Sequence, residues 1–340
     1  MFMEEDWPPL LHMFGSYLER VGRASSTQVI YLRAAEQLCG SVRQHPGNLS
    51  ASDIDGHLSG WRSDFKRQHD KWPSAATYRN RVAALRALYE WMERFDLLRA
   101  PDGTLRPNPM RWVEAPRVEQ RANDWLRPVE DRALHAAPIP DHERFIVLLL
   151  RWTGLRVSEA VSLTTSDVEL GFGGETIFVR ESKTLAGRRA IPVLPALLPH
   201  LRIHVHALQP GGDTPILVTR NSTAMKASYV WRAVKRASFR AGVRVVPCTC
   251  GGPPATHAPG CPRSRTGEHL SRVSPHTLRR TFGSHLLNQG VRLEVVSKLL
   301  GHASTSVTEK AYAELLYETA RREVFAALRG CDLPITQTDR

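Results

Sequence analysis

Between Asp141 and Thr153 the chain carries Phe145-Ile146-Val147-Leu148-Leu149-Leu150, six apolar residues in succession. A helix built on such a run has no polar face, so it must be enclosed by other elements rather than laid on a surface. The run predicts a central helix over Asp141–Thr153, with short helices at Pro128–Ala136 and Val157–Leu163 beside it. No stretch of the chain reaches 18 apolar residues, so the sequence offers nothing that spans a membrane.

Elsewhere helical periodicity dominates. Apolar residues Leu10, Leu11, Phe14, Leu18 and Val21 form one stripe. Ser25-Ser26-Thr27 reads as the cap of a second helix ending near Val42. A third runs over Ile54–Gln68, and Ser74 opens a fourth that carries Val82, Leu85, Leu88, Tyr89 and Met92 on one face. Pro107-Asn108-Pro109 then breaks regular structure. Later the period changes to two in Thr176–Arg180 and Arg189–Val193, which predicts a pair of strands. Helices follow at Leu197–Leu208, 226–242, Thr277–Gln289, Leu293–Leu300, Ser306–Tyr312 and Glu314–Leu328. The expected class is mainly α with a small antiparallel β-sheet. At 340 residues two domains are expected: a helical one over 1–117, a linker over 118–127, and a second domain over 128–330 with an irregular insert at 245–272 and a tail at 331–340.

The net charge of +12 is unevenly spread. Residues 1–120 hold 16 Lys/Arg against 15 Asp/Glu, whereas residues 220–300 hold 14 against two, Glu268 and Glu294. Such concentration is the electrostatic footprint of a nucleic-acid binder. Arg232, Lys235, Arg236 and Arg240 share one stripe of the 226–242 helix, opposite Val230, Val234, Ala237 and Ala241, so these four are expected to face DNA. An exposed solubilising face is the alternative. The acidic start Met1–Asp6 is unlike a secretory signal, and a cytoplasmic location is expected.

Five segments carry chemistry: Thr153-Gly154-Leu155-Arg156-Val157-Ser158-Glu159, Ser182-Lys183-Thr184, His276-Thr277-Leu278-Arg279-Arg280, Leu300-Gly301-His302, and Tyr312. A phosphodiester is anionic and gains charge in its five-coordinate transition state. Planar guanidiniums bind two phosphate oxygens at once, so Arg156 and Arg279 read as a clamp. Glu159, one turn on, can fix Arg156. His276 and Arg279 lie three apart and share a helix face behind Ser274-Pro275, a helix-start signal. His302 follows Gly301, a C-cap. Tyr312 is the candidate nucleophile, with Tyr317 as its competitor. Ionising a phenol at pH 7 costs about 4 kcal/mol, which neighbouring cations offset. Lys183, in the turn between the strands, reads as a donor to a departing oxygen or as a base contact, with Arg188 and Arg189 as rivals. Clustered carboxylates of the kind a two-metal site needs are missing from these segments, which hold only Glu159 with Glu309 nearby.

In this order the segments resemble the tyrosine recombinase (phage integrase, Xer-like) family. Arg156 lies in a T-G-L-R-x-S-E string, His276 and Arg279 in H-T-L-R-R-T-F, and His302 in L-G-H, with Tyr312 ten residues further on. The resemblance implies a helical SAM-like core-binding domain followed by a tyrosine-recombinase catalytic domain. It implies site-specific DNA cleavage and rejoining through a 3′-phosphotyrosyl intermediate, with Arg156, Lys183, His276, Arg279, His302 and Tyr312 as catalytic residues and no cofactor required for catalysis. It also implies double-stranded DNA as partner, a major-groove approach by the basic helix, self-association from dimer to tetramer on DNA, and accessory DNA-bending or partner recombinase proteins. Arg280 joins the expected DNA contacts. A role in a mobile element is expected from the insert. Two other readings share these features: a non-catalytic DNA-binding protein on the same fold, and a type IB topoisomerase-like enzyme.

The insert departs from the family pattern. Cys248, Cys250, His257 and Cys261 supply four soft ligands, so a structural zinc is expected there. A loop with free thiols is the alternative.

Overall fold

A computed structural model describes every residue except 1–6, 43, 101, 118–123, 172, 181–186, 209–212, 220, 247–270, 314 and 317–340. The chain divides into two compact units, Met1–Gln120 and Arg121–Arg340.

Unit 1 is four helices, α1 (Trp7–Arg20), α2 (Ser25–Cys39), α3 (Ala51–His69) and α4 (Ala75–Arg94). The apolar stripes face one another and bury Phe14, Leu38, Ile54, Leu58, Leu85, Leu88 and Met92 almost completely. Two large aromatic side chains find polar partners inside. Trp7 Nε1 donates to the Gln44 carbonyl at 2.9 Å, and Tyr89 Oη donates to the Pro46 carbonyl at 3.0 Å. Ser74 caps α4 as expected, accepting from the Thr77 amide. Ser25-Ser26-Thr27 do not cap α2 by side chain. They form its first turn, and the amides of Thr27 and Gln28 bond to the Ala24 carbonyl.

Unit 2 is built around α6 (Asp141–Thr153). Its six-residue apolar run is buried throughout, and Arg151 and Thr153 are buried with it. Around it lie α5 (Pro128–Ala136), α7 (Val157–Ser162), α8 (Leu198–Ala207), α9 (Ala227–Arg240), α10 (Pro275–Asn288) and α11 (Leu293–Leu300). Helical backbone resumes over 305–313. The sheet has three antiparallel strands in the order β1 (Val168–Glu169), β2 (Thr176–Val179), β3 (Arg189–Pro192). Ile177 pairs with Ile191 and Phe178 with Ala190, so Ile177, Val179 and Ile191 enter the core together. A second apolar cluster joins α10, α11 and the last helical stretch through Phe282, Val296, Leu300, Tyr312 and Leu315.

Two boundaries differ from expectation. The sheet gains β1, too short to show alternation in the sequence. Residues 124–127, expected in the linker, are packed into unit 2. The Leu126 amide donates to Thr281 Oγ1 at 2.9 Å, and Asp124 accepts from Arg244 and Thr277. Among the described residues no helix is long and apolar enough to cross a membrane.

Candidate active site

Arg156 stands where α6 turns into α7. Gly154 ends α6 in the left-handed conformation (φ 63°), which a side chain resists. A Cβ there would also lie 2.5 Å from Phe282 Cδ1, so glycine is demanded twice. The turn makes Arg156 the cap of α7. Its amide donates to Glu159 Oε2 at 2.9 Å, and its Nη1 pairs with Oε1 at 2.6 Å. Nη2 donates to the Gly301 carbonyl at 2.7 Å, tying this corner to the end of α11.

α10 brings the second guanidinium. Ser274 accepts from the Thr277 amide and Pro275 opens the helix, which places His276 and Arg279 one turn apart. Arg279 is buried. Its Nη1 donates to the Gly154 carbonyl at 2.6 Å and its Nη2 to the Leu300 carbonyl. These acceptors are neutral dipoles, and the nearest carboxylate, Glu159, is 4.0 Å away. Burial first, and then the Arg156 charge, lower the Arg279 pKa to about 9.

A third guanidinium completes the cluster. Arg189, at the start of β3, pairs with Glu159 Oε2 at 2.9 Å and donates through Nε to the Leu299 carbonyl at 2.6 Å. Its side chain is only 6% exposed, which separates it from its exposed neighbour Arg188. Glu159 is 2% exposed and serves both Arg156 and Arg189. Burial would raise its pKa, but the hydrogen bonds from Arg189 and the Arg156 amide outweigh that and hold it near 2. Three guanidiniums thus surround one carboxylate, leaving an excess of positive charge suited to an anion.

Both histidines border this charge. His302 follows Gly301, the left-handed C-cap of α11, and its Nδ1 shares a 2.7 Å hydrogen bond with Thr308 Oγ1. Burial, then Arg279 and Arg156, lower its pKa to about 4, so the ring is neutral at pH 7. His276 is exposed as a residue, yet burial of its ring against the site lowers its pKa as well, with Arg280 and Arg279 adding to the effect and Asp124 opposing it.

Tyr312 is 1% exposed. Its Oη donates to the Arg280 carbonyl at 3.3 Å and rests on Gly283, where a Cβ would lie 2.1 Å from the oxygen. Trp125 stacks on the ring, with centroids 6.1 Å apart and planes at 26°. Burial raises the phenol pKa to about 12, against the pull of Arg279 and Arg280. The structure therefore brings Arg156, Glu159, Arg279, His276, His302 and Tyr312 into one electrostatic neighbourhood, with the phenol docked beneath the surface.

The other expected site residues divide. Lys183, Tyr317 and the set Cys248, Cys250, His257 and Cys261 lie outside the described residues. On α9, Arg232 is exposed, whereas Arg236 and Arg240 reach back to the buried Glu143 of α6 at 2.7 and 2.6 Å. Lys235 donates to the Ser271 carbonyl at 2.7 Å. Of the four cations expected to face DNA, Arg236 and Arg240 thus also share an internal carboxylate, and the pair keeps a net positive charge. Arg280 is half-buried beside the phenol, with its carbonyl accepting from it. Sequence reasoning missed Arg189 as a site member, although the pair Arg188-Arg189 at a strand start flagged it. It also missed Asp124 and Trp125, for which no local signal exists.

The phage integrase family profile matches residues 128–319, more than half the chain. The chain is 28% identical over 351 aligned positions to the tyrosine recombinase XerC of Rhodospirillum centenum, covering 97% of this chain and 93% of the relative. It is 25% identical to a tyrosine recombinase of Pseudothermotoga lettingae over 88% of this chain and 91% of the relative. Among solved structures, the Tn1549 transposon integrase in complex with transposon right-end DNA superposes with a TM-score of 0.65 at 17% identity, covering 94% of this chain and 99% of that one. A lambda integrase dimer bound to a core site gives 0.63 at 18% identity, covering 89% and 76%. Fold and site together define a tyrosine-type enzyme that breaks and rejoins DNA. The chain belongs to the phage integrase family.

Proposed function

We propose that this chain is a site-specific recombinase of double-stranded DNA, with Tyr312 as nucleophile. The observation that carries the reading is the three-guanidinium cluster around Glu159, set beside two histidines and the only deeply buried tyrosine among the described residues of unit 2. Tyr312 Oη attacks the scissile phosphorus, forms a 3′-phosphotyrosyl bond and releases a 5′-hydroxyl. The phenol loses its proton in this step and the departing oxygen takes one up, with Lys183 as the proposed donor. Arg156 and Arg279 hold the two non-bridging oxygens as the phosphorus becomes five-coordinate and a further negative charge develops. A 5′-hydroxyl from the partner strand then attacks the phosphotyrosine, restoring the phosphodiester and the phenol.

Strand exchange requires two sites and hence several copies of the chain. Assembly from dimer to tetramer on DNA is part of the proposal, supported by the likeness to a lambda integrase described as a tetramer bound to a Holliday junction (TM-score 0.62, 20% identity). Accessory DNA-bending or partner recombinase proteins, a cytoplasmic location and a place in a mobile element belong to the same reading. So does a structural zinc on Cys248, Cys250, His257 and Cys261, which metal analysis of the purified protein would test at one ion per chain.

A nicked suicide substrate tests the central claim. The wild-type protein forms a covalent adduct, and Tyr312→Phe forms none while binding the same DNA with unchanged affinity. An adduct that survives the substitution would assign the attack to another residue. Joining of two DNA sites separates a recombinase from a topoisomerase-like enzyme, which would relax DNA without pairing sites.

A further inference from the structure

We infer that residues 124–126 form a strap that holds the nucleophile in its docked position, with Trp125 as a positioning residue for Tyr312. This rests on Tyr312 being the nucleophile. The strap lies where the chain enters unit 2. Each of its residues grips the catalytic region. Asp124 Oδ2 accepts from Thr277 Oγ1 at 3.0 Å, beside His276, and its Oδ1 pairs with Arg244 at 2.8 Å. The Trp125 carbonyl accepts from Arg244 Nη2 at 2.6 Å, which pins the strap from its other side. The Leu126 amide donates to Thr281 Oγ1 on α10. Between these anchors the Trp125 indole lies on the Tyr312 ring.

Apart from its apolar cluster with Phe282, Val296, Leu300 and Leu315, the phenol has a single polar tether. Its hydrogen bond to the Arg280 carbonyl is long at 3.3 Å, and Gly283 offers it room without a side-chain contact. A phosphodiester cannot reach an oxygen in a residue that is 1% exposed, so attack requires the ring to leave this pocket. Leaving the pocket gives up the ring contact with the Trp125 indole, which therefore favours the docked position.

The test uses the full-length protein without DNA first. Tyrosine acetylation by N-acetylimidazole, mapped by mass spectrometry, reads the accessibility of Tyr312. Wild type is expected to be protected there. Trp125→Leu should raise modification of Tyr312 roughly two- to tenfold, the range commanded by one aromatic stacking contact. Trp125→Phe, which keeps a ring, should restore most of the protection. Tyr89, buried in unit 1, should stay protected in all three, and an unchanged thermal unfolding transition of unit 2 in Trp125→Leu excludes unfolding as the cause of Tyr312 labelling. On the suicide substrate Trp125→Leu should speed single-turnover adduct formation by a similar factor at unchanged DNA affinity. Equal protection of Tyr312 in wild type and Trp125→Leu overturns the strap, as does slower adduct formation at normal affinity. If Tyr312→Phe still forms an adduct, the nucleophile assignment fails instead, a result read independently of the labelling.

Discussion

Replacing Glu159 by glutamine removes the one carboxylate on which three guanidiniums converge. The side chain keeps its shape, but Arg156 and Arg189 lose their shared counter-charge in a place where Glu159 is 2% and Arg189 6% exposed. The size of the loss follows from titration. The folded pKa of Glu159 is about 2 against an ordinary 4.5, because arginine hydrogen bonds overcome the cost of burial. That difference corresponds to about 3 kcal/mol of stability at pH 7. Removing one partner of a buried ion pair costs a comparable ~3–5 kcal/mol. A depressed carboxylate pKa contributes in full above 4.5 and fades as pH falls toward 2. Urea unfolding of wild type and Glu159→Gln should therefore differ by about 3 kcal/mol between pH 5.5 and 7, and by roughly 1.4 kcal/mol less at pH 3.5. Adduct formation should fall with the stability-matched protein at low urea, since the clamp residue Arg156 loses its carboxylate anchor. A stability difference below about 1 kcal/mol, or one that stays constant down to pH 3.5, would refute the claim that this carboxylate organises the site.

Gly154→Ala should lower the stability of unit 2 by about 1–3 kcal/mol from the positive φ alone, and more from the clash with Phe282, seen as a lower melting temperature. It should also slow adduct formation, because the Gly154 carbonyl holds Arg279. In unit 1, His57 must be neutral to accept from Arg81 Nη2 at 3.0 Å while its Nδ1 meets Ser41 Oγ. Burial, then the Arg81 charge, lower its pKa to about 4. Protection of α3 and α4 amides in hydrogen exchange should fall by about 2 kcal/mol between pH 7 and pH 5, a dependence that His57→Gln removes. On α9, Arg232→Ala should weaken DNA binding and reduce the salt slope by about one, whereas Arg236→Ala should chiefly lower stability by exposing Glu143 to the loss of a partner.

What the sequence displayed was whatever acts over a few residues. The apolar run of α6 could only be buried, and Ser274-Pro275 could only begin a helix, so Arg279 and His276 fell on one face without further information. The Gly154 and Gly301 turns were similarly local. What stayed hidden depends on partners far along the chain. Leu126 meets Thr281 and Asp124 meets Thr277 across more than 150 residues, and nothing in a Pro-flanked linker announces that. Ion pairs made across the fold were hidden for the same reason. The window 220–300 is strongly basic as written, yet α5 and α6 supply Glu130 and Glu143 to Arg244, Arg236 and Arg240 once the chain folds. The charge excess of a sequence window is therefore not the charge its surface presents, since other segments add partners of either sign.

The docked phenol carries the deepest consequence. Bringing it to the anion at pH 7 from a pKa of about 12 would cost about 7 kcal/mol, against about 4 for an exposed phenol. Arg279 and Arg280 already favour the anion here, so the excess is a desolvation cost that only movement can remove. The resting position thus disfavours ionisation and bars access at once. Both obstacles fall together when the ring leaves Gly283 and Trp125 for the cations that a bound phosphate would share. In this arrangement the binding energy of the DNA has a defined task, to exchange the aromatic contact, the apolar packing of the ring and one long hydrogen bond for the field of the arginine cluster.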